Sequence, residues 1–87
     1  MVTLAPLGKL VGGALGELRR GIEKARRNHR AVAIDLSEVT LVDRHSISFL
    51  VSQEGQDLVL INCPDYLEPW MERARKSAVP GRFNPQL

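Results

Sequence analysis

The sequence is poor in cysteine, in net charge and in long apolar runs. A single cysteine, Cys63, excludes an internal disulfide and is typical of proteins kept in a reducing compartment. The net charge of +2 is too small to give a whole-molecule field that attracts nucleic acid. No stretch approaches the roughly 20 continuous apolar residues that span a bilayer. We therefore predict a cytoplasmic protein that neither inserts into a membrane nor binds nucleic acid.

The sequence also lacks the motifs of the commonest catalytic and metal sites. It has no glycine-rich phosphate loop, no paired-carboxylate signature and no Ser–His–Asp pattern in a usable context. A metal needs three or four converging ligands, and His29, His45 and Cys63 show no ligand spacing. No base near Cys63 in the sequence supports it as a nucleophile. We therefore expect no catalytic residue, no metal, no cofactor and no enzymatic activity.

What is present is the composition of one small globular domain. The 87 residues are 44% apolar and 25% charged, which fits a single modest core. Periodic patterning extends over residues 1–76, which we assign to the domain. From Ser77 the chain contains proline and glycine and loses its period, so residues 77–87 are predicted to form a C-terminal tail.

Three apolar runs have the character of β-strands. Residues 2–7, 31–36 and 58–61 are short, apolar and rich in β-branched side chains or leucine. Each is followed by a segment with helical apolar spacing. Strands that alternate with helices are joined by parallel crossovers. The sequence therefore predicts an α/β fold with a small, open, mostly parallel sheet and helices packed on it.

The helical segments differ in how clearly their ends are marked. The first has apolar residues at spacings of three and four: Val11, Ala14, Leu15, Leu18, Ile22 and Ala25. Asp43 is predicted to cap the second, which runs from Arg44 to about Glu54, because its carboxylate can accept free first-turn N–H groups. The third is predicted to open at Pro64 and Asp65. Its apolar stripe is Leu67, Trp70, Met71 and Ala74, and Trp70 with Tyr66 is expected to close the core.

Basic residues are concentrated in the first helical segment: Arg19, Arg20, Lys24, Arg26, Arg27 and Arg30. Glu17 and Glu23 interrupt this cluster, and no aromatic residue accompanies it. Nucleic-acid binding calls for aromatic residues or a recognisable reading motif as well as positive charge. The cluster is therefore predicted to be a solvated helix face.

The middle of the chain carries a family resemblance. Residues 31–43 read Ala-Val-Ala-Ile-Asp-Leu-Ser-Glu-Val-Thr-Leu-Val-Asp, residues 58–62 read Leu-Val-Leu-Ile-Asn, and residues 64–66 read Pro-Asp-Tyr. Together with Gly8-Lys9-Leu10 before the first helix, this pattern resembles a STAS domain, the fold of bacterial anti-sigma factor antagonists. The resemblance covers about residues 2–76 and implies a STAS-like α/β fold that binds another protein.

The sequence departs from that family at its regulated site. Regulated members read Ser-Ser-Gly-Leu-Gly after the aspartate, and a partner kinase phosphorylates the second serine. Here the corresponding residues are Arg44, His45, Ser46, Ile47 and Ser48. His45 occupies the phospho-acceptor position, which excludes serine phosphorylation there and leaves Ser46 as a displaced alternative. The early part of the chain also looks short of one strand of the family.

The resemblance implies a partner-binding surface made of Asp43, Arg44, His45, Ser46 and Ser48, with Asp43 capping the helix and the others facing the partner. The partner would be an anti-sigma factor or a switch kinase. A second hypothesis is an accessory STAS-type subunit of a lipid-transport ABC ATPase, whose partner is the transporter ATPase. A third is a small-ligand or nucleotide site at the strand ends, with Asp35 and Asn62 as ligand residues. The sequence leaves the oligomeric state open.

Overall fold

The computed structural model describes residues 1–55 and 57–78, along which one or two strands precede each helix. The elements within those residues are β1 (Val2–Leu4), β2 (Gly8–Leu10), α1 (Gly13–Arg27), β3 (Val32–Asp35), β4 (Val39–Val42), α2 (Arg44–Gln53), β5 (Leu58–Ile61) and α3 (Glu68–Ala78). The predicted α/β class is confirmed.

The main sheet has three strands in the order β1-β3-β5, and all of them are parallel. Val2, Val32 and Leu58 align in one row of the sheet. Side chains alternate across it: Val32, Ile34 and Leu58 lie in the core, whereas Thr3 and Val59 are exposed. This alternation indicates that the helices cover one face of a small, open, parallel sheet.

A second parallel pair, β2 with β4, forms where the chain leaves β1 and β3. The predicted strand over residues 2–7 is wrong in its extent, because β1 ends at Leu4 and Pro6 has no N–H to donate to a ladder. The chain turns at Gly8, whose φ of 73° lies in the left-handed region that glycine adopts readily. Gly8 then pairs with Val39, and Leu10 pairs with Val42.

The apolar stripe of α1 is packed on the core. Its buried residues are Leu15, Leu18, Ile22 and Ala25. Gly21 allows the helix to approach the sheet, since a Cβ there would lie 3.2 Å from the side chain of Leu4. Two members of the basic cluster are not simply solvated. Arg26 Nε donates to Asp57 Oδ2 at 3.1 Å, and the guanidinium of Arg19 lies 4.8 Å from the Phe49 ring centroid.

Helix α2 lies between the other two helices. Leu50 is fully buried on its inner side, and Arg26 of α1 also donates to the Gln53 side chain at 2.6 Å. Helix α3 contacts α2 and is joined to it by Arg75, whose Nε and Nη2 donate to the two carboxylate oxygens of Glu54 at 2.9 and 3.0 Å. The three helices therefore form one layer against the sheet.

The ends of α3 differ from the predicted ones. The helix begins at Glu68 instead of Asp65, because residues 65–67 form a turn in which the Leu67 N–H donates to the Pro64 carbonyl. It continues to Ala78, so residues 77 and 78 belong to the helix and not to a tail. Residues 79–87 of the predicted tail lie outside the described residues.

Candidate docking groove

The first turn of α2 is fixed by Asp43, as the sequence predicts. Asp43 has extended backbone angles, and its Oδ1 accepts a hydrogen bond from the Ser46 N–H at 2.7 Å. That N–H, followed by the Ser46 hydroxyl, holds the pKa of Asp43 below its usual value. The cap orients the residues that follow it, because it satisfies an N–H group that the helix cannot pair internally.

Ser46 does not face a partner. Its side chain is completely buried, and its Oγ donates to the Leu10 carbonyl of β2 at 2.6 Å. Ser46 and Leu50 are four residues apart and lie on the same inward side of α2. The prediction that Ser46 belongs to the partner-binding surface is therefore wrong. The same burial removes Ser46 as a displaced phospho-acceptor, because a kinase cannot reach a hydroxyl enclosed between a strand and a helix.

The other first-turn residues point outward. Arg44, His45 and Ser48 are all exposed. Arg44 and Ser48 are four residues apart, so they lie on the same side of α2. Both line an open groove of about 870 Å³ between α2 and α3, whereas His45 does not line it.

This docking groove is mostly apolar. Its lining residues come from the end of β4, from α2, and from α3 with the turn before it: Leu41, Val42, Arg44, Ile47, Ser48, Val51, Tyr66, Leu67, Trp70, Arg73 and Ala74. Leu41, Tyr66 and Trp70 are 49%, 50% and 51% exposed. Large apolar and aromatic side chains are here concentrated in one concave surface, which is the usual character of a binding site.

The two aromatic residues of the groove do not close the core, contrary to the sequence prediction. Tyr66 is anchored only at its tip, where its hydroxyl donates to the Val39 carbonyl at 2.7 Å. Trp70 lies next to Arg73, whose guanidinium carbon is 5.3 Å from the ring centroid. The neighbours Leu67 and Met71 are buried in their place. Both rings therefore leave half of their surface available to another molecule.

The charge of the groove has one sign. Among the residues that line it, Arg44 and Arg73 are the ones that carry a charge at neutral pH. The ion pairs between described residues join Arg26 to Asp57 and Arg75 to Glu54, and they do not include either groove arginine. The apolar lining thus carries two positive charges, one from each wall.

The predicted ligand residues Asp35 and Asn62 lie near each other at the carboxyl ends of β3 and β5. Asp35 Oδ1 accepts the Ser37 N–H at 2.9 Å. Hydrogen bonds from Ser37 first, and from the Asn62 side chain to a smaller extent, lower the pKa of Asp35. Asn62 has a φ of 55°. The contact with Ser37 belongs to a local turn, whereas the contact with Asn62 joins the ends of two strands. The ligand role of the pair stays a prediction.

Cys63 has the properties of a packed thiol. It is partly buried against the core, and burial raises its pKa, with a further contribution from the charge of Glu68. A raised pKa reduces the thiolate fraction at neutral pH, which is the reactive form. Within residues 1–55 and 57–78, no three His, Cys, Asp or Glu side chains are placed so that they could hold a metal ion.

The docking groove was not foreseen from the sequence, although its start at Arg44 was. Tyr66, Trp70 and Arg73 follow each other at spacings of four and three. This row of aromatic and cationic residues is the sequence signal that indicates the groove. The sequence predicts that Tyr66 and Trp70 close the core, because periodicity shows which residues share a face and not how far the neighbouring element covers them.

Comparison with protein-family models, with curated proteins and with solved structures found no match to this chain. In the described part of the chain, none of the helices has the length and apolar character to cross a bilayer.

Proposed function

We propose that this chain is a non-catalytic, cytoplasmic protein-interaction module that resembles an anti-sigma factor antagonist. Its docking groove and the adjoining first turn of α2 bind the partner. The groove supplies apolar contact area, and Arg44 and His45 supply polar contacts at its border.

The half-exposed aromatic rings carry this proposal. Tyr66 and Trp70 are large side chains that the fold leaves uncovered on a concave surface. Aromatic residues of this kind supply much of the binding energy of protein interfaces, and Arg is the residue that most often accompanies them. They adjoin the helix start at which the STAS resemblance places partner binding, so two independent observations support the same surface.

The surface is proposed to act without phosphorylation at the family's usual position. His45 occupies that position, and Ser46 is buried under β2. A regulated family member would gain close to two negative charges here, whereas Arg44 keeps this surface cationic. The partner therefore meets the same charge at all times, unless another residue of the surface is modified.

Photo-crosslinking in the native cell tests the proposal. A photoreactive phenylalanine analogue is placed at His45, which is exposed in the first turn of α2, and in a control variant at Arg20, which is exposed on α1. We expect one discrete adduct with another protein from position 45, absent from position 20 and reduced by Arg44→Glu. A sigma-factor regulator in the adduct favours the first hypothesis, and a transporter ATPase favours the second. Equal adduct patterns from both positions would contradict the docking surface.

A further inference from the structure

We infer that the docking groove binds an amphipathic helix of the partner that carries acidic residues along its edges. The inference rests on the proposed function and specifies the chemistry of the partner. It is carried by the spacing of the residues on the two walls and by the sign of the charge on them.

Both walls of the groove are helical rows. Helix α2 contributes Arg44, Ile47, Ser48 and Val51, which are at positions i, i+3, i+4 and i+7. The other wall contributes Trp70, Arg73 and Ala74 of α3, again at spacings of three and four, and is extended by Tyr66 and Leu67 from the turn before that helix. Two neighbouring helices with such rows form ridges that a third helix can pack between. A helix in a hydrophobic groove binds through the same spacing of its own anchors.

The charge on the walls selects an acidic occupant. Arg44 is in the first turn of α2, and Arg73 is in α3, so there is one arginine on each side of the groove. Carboxylates that flank the apolar face of the bound helix reach both guanidinium groups. The Arg73 guanidinium is already held beside the Trp70 ring. Arg73 therefore loses less side-chain entropy when it pairs with a carboxylate than an unrestrained arginine would.

Two designed peptides test the charge selection directly. They share one helical pattern of leucine and phenylalanine anchors, flanked by glutamate in the first peptide and by lysine in the second. Fluorescence anisotropy of a label on each peptide measures Kd, and the emission of Trp70, the single tryptophan of the chain, reports whether the groove is occupied. We expect the glutamate peptide to bind at least about tenfold more tightly, with a difference that shrinks at high salt.

Charge reversal locates the selection in the groove. In the double variant Arg44→Glu with Arg73→Glu, the preference is expected to invert in favour of the lysine peptide. The matched control, Arg20→Glu with Lys24→Glu, makes the same change in net charge on the exposed face of α1 and is expected to keep the original preference. Inversion in both double variants would show a net-charge effect and would overturn the inference.

Other occupants of the groove give distinct results, each of which overturns the inference. Equal binding of the two peptides, or no binding of either, would contradict charge selection. Self-association in sedimentation experiments with burial of Trp70 would indicate a second copy of the chain. A Trp70 shift with phosphatidylglycerol vesicles alone would indicate a lipid surface. The crosslinking experiment tests the proposed function separately from the peptide experiment. An adduct from position 45 that maps to a basic or extended segment of a partner contradicts the acidic helix and leaves protein docking intact, whereas the absence of any specific adduct contradicts protein docking itself.

Discussion

Helices α1 and α3 have similar apolar stripes and different uses for them. In α1 four residues of the predicted stripe are buried, and Ala14 in the first turn is exposed. In α3 Met71 is buried, but Trp70 is half exposed in the docking groove. Helix α1 contacts β1 and β2, whereas the main contact of α3 is with α2, and Trp70 on α3 is left half exposed. A stripe that its own fold covers contributes to stability, and one that remains uncovered is available for binding.

The largest expected effect is the difference in unfolding free energy that is lost when a side chain of each stripe is truncated. Ile22→Ala removes a side chain that is 1% exposed and is expected to cost about 2–5 kcal/mol of unfolding free energy, because it leaves a cavity. Trp70→Ala removes a larger side chain and is nevertheless expected to cost less than Ile22→Ala, because half of the indole is already in water. Urea denaturation measures both. Equal losses would mean that α3 is covered as fully as α1.

A smaller effect tests how α2 is held between them. Ser46→Ala removes the donor to the Leu10 carbonyl and is expected to cost about 1–3 kcal/mol, since a buried polar contact is lost. Ser48→Ala, two residues further on and exposed, is expected to leave the unfolding free energy unchanged. Thermal and urea unfolding of this pair measure the difference. A neutral Ser46→Ala variant would indicate that β2 does not fix the start of α2.

The next prediction concerns the attachment of α3 alone. Arg75→Gln breaks its ion pair with Glu54 and is expected to cost roughly 0.2–1 kcal/mol, because both side chains are about one-third exposed. The expected local signature is faster modification of the Cys63 thiol by a disulfide reagent, since loosening α3 exposes it. Hydrogen exchange of the amides in α1 should not change. Faster exchange throughout α1 would show that the two helices open as one unit.

The smallest effect is a pH dependence at the wall of the groove. The pKa of Asp43 is below the usual 3.8, so its cap stabilises α2 fully above about pH 4. That contribution is lost as the pH falls through the lower native pKa. Asp43→Asn keeps a capping oxygen and cannot titrate. The melting temperature of this variant should therefore fall less than that of the wild type between about pH 5 and about pH 2. Parallel melting curves would remove Asp43 from the acid response.

Sequence patterns predicted the features that depend on local chemistry. The bounds of β5, the buried stripe of α1 and the cap at Asp43 all follow from residues within a few positions of each other. The α/β class follows from the alternation of these segments.

Features that depend on distant pairing were not predicted. Strands β2 and β4 are three and four residues long, and each is a strand only because it pairs with the other across the helix α1. Without β2 in place, nothing in the sequence indicates that Ser46 is covered. Similarly, the exposure of Trp70 depends on where α3 lies against α2, which its own periodicity does not contain.

The hydrogen bond from Ser46 to Leu10 joins residues 36 positions apart in the chain. The start of α2 is therefore held by a strand that lies far from it in the sequence. A peptide excised to contain only α2 and α3 lacks the strand that holds the first turn of α2. If the groove binds as proposed, fragments built from the helices alone should bind poorly, because β2 supports the start of α2 although residues 1–10 do not line the groove.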